Sequence, residues 1–253
     1  MKRNIALVIS YDGTEYAGWQ RQNNQRSVQE TMETALADLH GVPTALTGAG
    51  RTDAGVHALG QAGNFFTAMD TIPDWQFRDA LNARLPRDIR ILKSREVPES
   101  FHARRCASGR HYEYHIAEGR SCPAHFARFL WLVPRLPSLR LLNEMAGAVC
   151  GSHDFTAFTA AGDSSLNFTR EIYHAVFLSE GPRTLFRIHG NAFLWRMVRS
   201  LLGTLLDTAL RGGGKQAIQG ILEAKDRGAA GPTAPARGLF LSKVDYGPEW
   251  GIY

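Results

Sequence analysis

Residues 4–41 read NIALVISYDGTEYAGWQRQNNQRSVQETMETALADLHG and contain a strand pattern, a polar loop and a helix pattern, in that order. Apolar side chains alternate between positions 5 and 11, which is the period of a half-buried strand. Ser27 is followed three positions later by Glu30, a capping box that predicts the start of a helix, and Gly41 marks its end. The stretch therefore predicts the first strand–helix pair of a mixed α and β fold.

The residues that follow continue this alternation. We expect strands near 43–48 and 61–68, a helix over 74–85 and a strand over 88–97, which gives the order β-α-β-β-α-β. The second half repeats the pattern with a strand at 111–117, a helix from 139, a hairpin over 170–190, helices over 193–211 and 215–225, and a strand at 238–246.

Two copies of a split β-α-β pattern predict an α+β protein with two ferredoxin-like or RRM-like halves. Each half is expected to have a mainly antiparallel sheet with helices packed on one face. We expect the N-terminal half to span residues 1–103 and the C-terminal half to span 104–253, with the active site in a cleft between the halves.

Composition limits the class of protein. Of the 253 residues, 44% are hydrophobic and 21% are charged, which excludes a disordered chain, and the sequence contains no uncharged apolar run long enough for a transmembrane helix. The three cysteines, Cys106, Cys122 and Cys150, never have CxxC spacing, which argues against a disulfide framework or a cysteine zinc site. We therefore expect a cytoplasmic protein that does not bind a membrane.

The net charge of +5 is concentrated in residues 101–140. This segment also contains several aromatic residues, and arginines interleaved with rings are typical of a nucleic-acid surface, although a solvated strand edge has the same composition. We select Arg104, Arg105 and Arg110 as candidate RNA-binding residues. The segment holds two acidic residues, Glu113 and Glu118, and seven arginines, Arg104, Arg105, Arg110, Arg120, Arg128, Arg135 and Arg140.

The sequence GAGRTDAGVH at residues 48–57 is the densest cluster of unusual residues. Asp53 lies between two glycines, on a loop where a rigid sheet presents reactive groups. Taken alone, Asp53 is better explained as a carboxylate that caps a turn. A metal site with His57 has too few ligands.

Two other places carry candidate residues. In RHYEYH at 110–115, the two tyrosines share one face of a strand and are either core residues or base-stacking rings, and the face with His111 and His115 is a surface or a metal site. Arg199 lies beside the apolar stripe of a long helix, where an arginine is usually a surface residue.

Six stretches of the sequence, in this order along the chain, carry a family resemblance. They are YDGTEYAGWQRQ at 11–22, SVQE at 27–30, GRTDAGVHALGQ at 50–61, LNARLP at 81–86, FHAR at 101–104 and NAFLWRMVRSLLG at 191–203. With these stretches, of which GRTDAGVH is the most specific, the chain resembles the bacterial tRNA pseudouridine synthase A family.

The resemblance implies a role for four residues. Asp53 matches the catalytic aspartate, Arg51 the residue that helps to displace the target base, Tyr112 the ring that packs against the uracil, and Arg199 the arginine that pairs with the aspartate. It also implies an isomerase without cofactor or metal that converts uridines around positions 38–40 of the tRNA anticodon stem-loop. The family acts as a homodimer that holds tRNA.

Two other functions remain open at this point. A non-catalytic RNA-binding protein would use the same basic segment, but it predicts an RNP-like aromatic strand, which the sequence lacks. A metal-dependent RNA hydrolase would use Asp53, His57, His111 and His115.

Overall fold

The computed structural model describes residues 2–252, which form two compact units. The first unit comprises the chain up to Ser108 together with the C-terminal stretch from Phe240, and the second comprises Gly109–Leu239. The regular elements are β1 (Arg3–Tyr11), α1 (Val28–His40), β2 (Thr47–Gly48), β3 (His57–Thr67), α2 (Phe77–Asn82), β4 (Ile89–Val97), β5 (Ala107–Glu118), β6 (Trp131–Val133), α3 (Leu139–Ala146), β7 (Gly151–Asp154), β8 (Thr169–Glu180), β9 (Arg183–Gly190), α4 (Met197–Leu210), α5 (Lys215–Ala224) and β10 (Leu239–Tyr246).

The first unit is built on a sheet with the strand order β4-β1-β3-β10, and β2 pairs with β3. β1 is antiparallel to both β3 and β4, whereas β10 runs parallel to β3. Helix α1 starts where the capping box predicts it, because the Ser27 side chain accepts a hydrogen bond from the Glu30 N–H at 3.3 Å. It ends at Gly41, which adopts a left-handed conformation with φ 70°.

The second unit has a sheet with the strand order β5-β9-β8-β7, with antiparallel β5–β9, β9–β8 and β8–β7 pairs. The short strand β6 pairs in parallel with β5. Helix α3 packs against β8 and also contacts α4 and α5. Helix α4 contributes fully buried residues to the core, among them Leu201, Leu202 and Leu205. The predicted α+β class with mainly antiparallel sheets is confirmed.

Several boundaries differ from the expectation. β2 has only two residues, and the helix expected over 74–85 is regular only over α2. The strand β10 was expected in the C-terminal half but belongs to the first unit, because it pairs with β3 through Phe240 opposite His57. Among residues 2–252, no helix combines the length and the apolar character that crossing a membrane requires.

Candidate active site

The residues between β2 and β3, 49–56, form a loop that we call the Asp53 loop. Hydrogen bonds tie its main chain at spaced positions: the Thr52 carbonyl accepts from the Trp19 N–H at 3.0 Å, and the Gly55 N–H donates to the Tyr16 carbonyl at 3.3 Å. The buried Gln61 amide donates to the Gly50 carbonyl at 2.8 Å. Between these anchors Arg51 is exposed and Asp53 is half-buried. The main chain of the loop is therefore held in the protein, with Arg51 exposed and Asp53 half-buried.

The turn at the tip of the Asp53 loop is closed by main-chain atoms. The Asp53 carbonyl accepts a hydrogen bond from the Val56 N–H at 3.1 Å, and Gly55 has a φ of 75°. Glycine adopts this left-handed conformation without the clash that a Cβ atom causes. The glycine after Asp53 and Ala54 is therefore needed for the shape of the turn.

The segment 11–19 lies directly against the Asp53 loop, and its glycines permit the close approach. A Cβ atom on Gly18, which has a φ of 104°, would lie 2.5 Å from the Thr52 carbonyl oxygen. A Cβ atom on Gly13 would collide with the Val56 carbonyl oxygen. The two motifs YDGTEYAGW and GRTDAGVH are therefore two sides of one packed structure, which explains why their glycines occur together.

His57 is a scaffold residue at the end of this loop. Its side chain is 1% exposed, and its ring stacks on Phe240 with 4.8 Å between centroids. Its Nδ1 accepts a hydrogen bond from the Gly13 N–H at 3.0 Å and lies 3.2 Å from an oxygen of Asp12. The hydrogen bond from Gly13 commits Nδ1 to the scaffold, so the structure favours a structural role over the metal-ligand role considered for His57.

Tyr16, Arg26 and Asp88 form a network behind the loop that sequence reasoning missed. The Tyr16 hydroxyl donates to Asp88 at 2.7 Å, and Arg26 donates to that hydroxyl at 2.8 Å while its guanidinium lies 4.4 Å from the ring centroid. Burial, and then the hydrogen bond and charge of Asp88, raise the pKa of Tyr16. The network fixes the residue whose carbonyl holds Gly55.

In the second unit, the two tyrosines of β5 have different environments. Tyr112 is half-buried, and its ring packs edge-to-face on Phe193 with 5.1 Å between centroids. Tyr114 is fully buried, and its hydroxyl donates to the Pro235 carbonyl at 2.6 Å. Burial raises the pKa of Tyr114, although nearby arginine charges oppose the shift. Tyr114 is thus the core residue, and Tyr112 keeps an accessible part of its ring.

Arg199 on α4 is oriented by the main chain of Ala234. Its Nε donates to the Ala234 carbonyl at 2.8 Å, and its own carbonyl accepts from the Ala234 N–H at 3.0 Å. The side chain is half-buried. Arg199 is therefore an anchored guanidinium, unlike the surface arginine that its position in the sequence suggested.

The candidate RNA-binding arginines differ among themselves. Arg104 and Arg105 are exposed on a turn whose main-chain N–H groups donate to His102 Nδ1 at 3.2 and 3.3 Å. Arg110 is half-buried and donates to the Asn191 carbonyl at 2.8 Å. Arg104 and Arg105 are accessible to a phosphate, and Arg110 also has a structural contact.

The face of β5 that carries Glu113 forms an ion-pair cluster. Glu113 accepts a hydrogen bond from Arg187 on β9 at 3.0 Å, and His115 lies 3.7 Å away. The nearby His115 and the positive charge of Arg187 outweigh burial and lower the pKa of Glu113. His111 stacks on His189 of β9 with 3.7 Å between ring centroids. These contacts hold the half-buried side chains of this strand face in place.

A family model described as tRNA pseudouridine synthase matches residues 7–104 and 145–247, which include the Asp53 loop and Arg199. The chain belongs to the tRNA pseudouridine synthase family. The residues quoted for the resemblance at positions 11–22, 50–61 and 191–203 all lie within the matched ranges.

Individual relatives are similar along nearly the whole chain. The tRNA pseudouridine synthase A of Treponema denticola is 46% identical and covers 98% of this chain and 94% of its own length. The proteins of the same name from Clostridium kluyveri and Acetivibrio thermocellus are 40% and 41% identical, each over 96% of this chain and 100% of theirs. Among solved structures, a chain of a Cbf5–Nop10–Gar1 complex aligns with a TM-score of 0.34 and 11% identity over 96% of this chain and 59% of that one, a likeness too low to support an argument.

Proposed function

We propose that the protein isomerises uridine to pseudouridine in tRNA and that Asp53 is its catalytic carboxylate. The observation that carries this proposal is the Asp53 loop, which belongs to the part of the chain that the tRNA pseudouridine synthase family model matches. Its main chain is held at Gly50, Thr52 and Gly55 while Asp53 remains half-buried between the anchors. Such a support holds a reacting group in place without restricting access to it.

The reaction explains why a carboxylate is sufficient. The bond between uracil N1 and ribose C1′ breaks, a bond between C5 and C1′ forms, C5 loses a proton and N1 gains one. No electron is gained or lost overall, so the reaction itself requires no redox cofactor. A carboxylate near C1′ acts either as a nucleophile on the sugar or as a base that starts the elimination.

Three further residues are proposed to contact the target nucleotide. Arg51 is exposed two positions before Asp53 and is suited to take the place of the displaced base. Tyr112 offers a ring that Phe193 supports from the side, and a supported ring packs against a uracil with little loss of side-chain freedom. Arg199 offers a guanidinium that Ala234 orients. Anchored groups of this kind lose little entropy when the substrate binds.

We propose that Arg104, Arg105 and Arg110 contact the phosphates of the tRNA, and that the target uridines lie around positions 38–40 of the anticodon stem-loop. The excess positive charge between residues 101 and 140 supports this, because arginine pairs bidentately with phosphate. A cytoplasmic homodimer is the proposed working form. The similarity to proteins named tRNA pseudouridine synthase A supports tRNA as the substrate.

The proposed activity is tested by tritium release from C5-labelled uridine in a tRNA transcript, mapped by position. Asp53→Asn keeps the size of the side chain and removes its charge, so we expect turnover to fall by at least about a thousandfold while tRNA affinity changes less than twofold. Near wild-type tritium release by this variant would exclude Asp53 from the reaction. Tight tRNA binding by the wild type without tritium release would support the alternative, a non-catalytic RNA-binding protein.

A further inference from the structure

Two exposed side chains lie side by side just before α4. Trp195 is 44% exposed and Arg196 is exposed too, whereas Leu194 and Met197 on either side of them are buried. The guanidinium carbon of Arg196 lies 5.0 Å from the centroid of the Trp195 ring. We call this pair the Trp195–Arg196 platform. It combines a large π surface with a positive charge in solvent.

The main chain of the platform is held on both sides. The Trp195 N–H donates to an Asp163 carboxylate oxygen at 2.6 Å, and the Trp195 carbonyl accepts from the Ala160 N–H at 3.1 Å. Arg196 has a φ of 60° and a ψ of 8°, a left-handed conformation that costs a residue with a Cβ atom about 1 kcal/mol. The fold thus maintains an ordered arginine at a position where glycine would be less strained.

The charge of Asp163 is satisfied by internal donors. Its carboxylate also accepts from the Thr159 hydroxyl at 2.9 Å and the Ser165 N–H at 2.8 Å. Burial alone would raise the pKa of Asp163, but the hydrogen bonds from Ser165, Trp195 and Thr159 outweigh it and lower the pKa to about 2. Asp163 therefore acts as a clamp on the main chain of Trp195 across the physiological pH range.

The platform adjoins the residues proposed to hold the substrate. It follows Phe193, which packs on Tyr112, and it precedes Arg199 by three residues. Asn191, at the start of the same segment, accepts the hydrogen bond from Arg110. A nucleic acid bound by Tyr112, Arg110 and Arg199 would therefore pass close to the platform.

We propose that the Trp195–Arg196 platform binds an unpaired nucleobase of the tRNA, stacked on the indole ring, with the Arg196 guanidinium beside a neighbouring phosphate. This rests on the proposed function, because it takes tRNA as the substrate. The ligand is unpaired RNA, since a base inside a helix has no free face for a protein ring. The guanidinium complements the phosphate that each nucleotide carries.

The test is equilibrium binding of an unmodified tRNA transcript at several salt concentrations. A stacked base contributes about 1–3 kcal/mol, so Trp195→Ala is expected to weaken binding about 5- to 150-fold, and Trp195→Phe to retain most of the affinity. The salt dependence should be unchanged in Trp195→Ala, because stacking releases no counterions. Arg196→Gln should reduce the slope of log affinity against log salt by about one.

Trp75→Ala is the matched control. Trp75 is 57% exposed, lies in the first unit and has no part in the proposed substrate contacts, so its removal should leave the affinity within twofold of the wild type. A Trp195→Ala protein with unchanged affinity and unchanged thermal unfolding would overturn the proposal, as would an equal loss of affinity in Trp75→Ala.

Different results would exclude the platform proposal and the proposed function. If the wild type releases tritium from tRNA and Trp195→Ala binds equally well, only the platform is excluded. If the wild type neither binds nor modifies tRNA, the proposed function itself is excluded, and the platform proposal is overturned with it.

Discussion

The Asp53 loop in the first unit and residues 191–196 in the second both present functional candidates on a main chain of unusual conformation. In the Asp53 loop the left-handed position is Gly55, whose φ is 75°. In residues 191–196 it is Arg196, whose φ is 60°. Glycine makes the first turn without strain, whereas the second keeps a side chain despite strain. The Asp53 loop thus depends on a glycine for its shape, whereas the platform retains a side chain at a strained position.

The largest effect should come from breaking the close approach of the Asp53 loop. Gly18→Ala would place a Cβ atom 2.5 Å from the Thr52 carbonyl oxygen at a φ of 104°, so we expect a loss of about 3 kcal/mol in the free energy of unfolding and loss of tritium release. Gly41→Ala is the control, because its φ of 70° is also left-handed but no atom lies within 4 Å. Urea unfolding should show only about 1 kcal/mol for Gly41→Ala. Equal losses of unfolding free energy in Gly18→Ala and Gly41→Ala would mean that the close contact with Thr52 adds nothing to the cost of the substitution.

A smaller effect should follow from loosening the network behind the loop. Tyr16→Phe removes the hydroxyl that joins Asp88 and Arg26, and we expect a loss of about 1.5 kcal/mol together with faster hydrogen exchange of the Gly55 amide. Tyr246→Phe removes a comparable hydrogen bond, to the Ala103 carbonyl at 2.6 Å, in the same unit. The control should lose similar stability without a change at Gly55. Unaltered hydrogen exchange of the Gly55 amide in Tyr16→Phe would show that the network does not hold the Asp53 loop in place.

The clamp on Trp195 gives a prediction about pH. Because folding lowers the pKa of Asp163 to about 2, the ionised carboxylate stabilises the fold fully above about pH 4, and this contribution disappears as the pH falls from 4 to 2. Asp163→Asn should therefore cost about 1 kcal/mol at pH 7, after allowance for solvent screening, and almost nothing at pH 2. Urea unfolding of both proteins between these pH values measures the difference. If the difference in unfolding free energy between the wild type and Asp163→Asn stayed constant with pH, the ionised Asp163 carboxylate would not stabilise the fold.

The smallest expected effect concerns the strained conformation of Arg196 and its link to tRNA binding. Arg196→Gly relieves the left-handed strain and is expected to stabilise the protein by about 0.5 kcal/mol, while it weakens tRNA binding. Lys225→Gly is the matched control, since Lys225 has a φ of 50° at the end of α5. It should bind tRNA normally, and its gain in stability should be smaller because the substitution also removes the 3.0 Å ion pair between Lys225 and Asp154. Arg196→Gly with full tRNA affinity would mean that the strain serves no contact with RNA.

Local patterns predicted the fold well where an element is decided by its own residues. The capping box at Ser27 and the alternation from residue 5 predicted α1 and β1 to within two residues. The start of α4 was placed at 193 but lies at Met197, because Phe193 and Leu194 continue the apolar period while Arg196 interrupts the helix. Periodicity does not reveal a single left-handed residue.

The candidate site was visible in the sequence only through its motifs. Its supports were not, because they come from distant parts of the chain: Asp88 holds Tyr16 across 72 residues, and Ala234 holds Arg199 across 35. The sequence signal that existed for Tyr16 was its place inside YDGTEYAGW. The same limit explains the placement of β10, which was predicted as a strand but whose partner β3 lies far away in sequence.

The membership of β10 in the first unit has a consequence for biosynthesis. The second unit ends at Leu239, whereas the first unit, which contains the residues before Gly109, also requires the stretch that starts at Phe240. Until that stretch has been synthesised, β3 lacks its parallel neighbour and His57 lacks the ring of Phe240. On the ribosome the first unit is therefore completed after the second, and the Asp53 loop acquires its full support only once β10 has been synthesised.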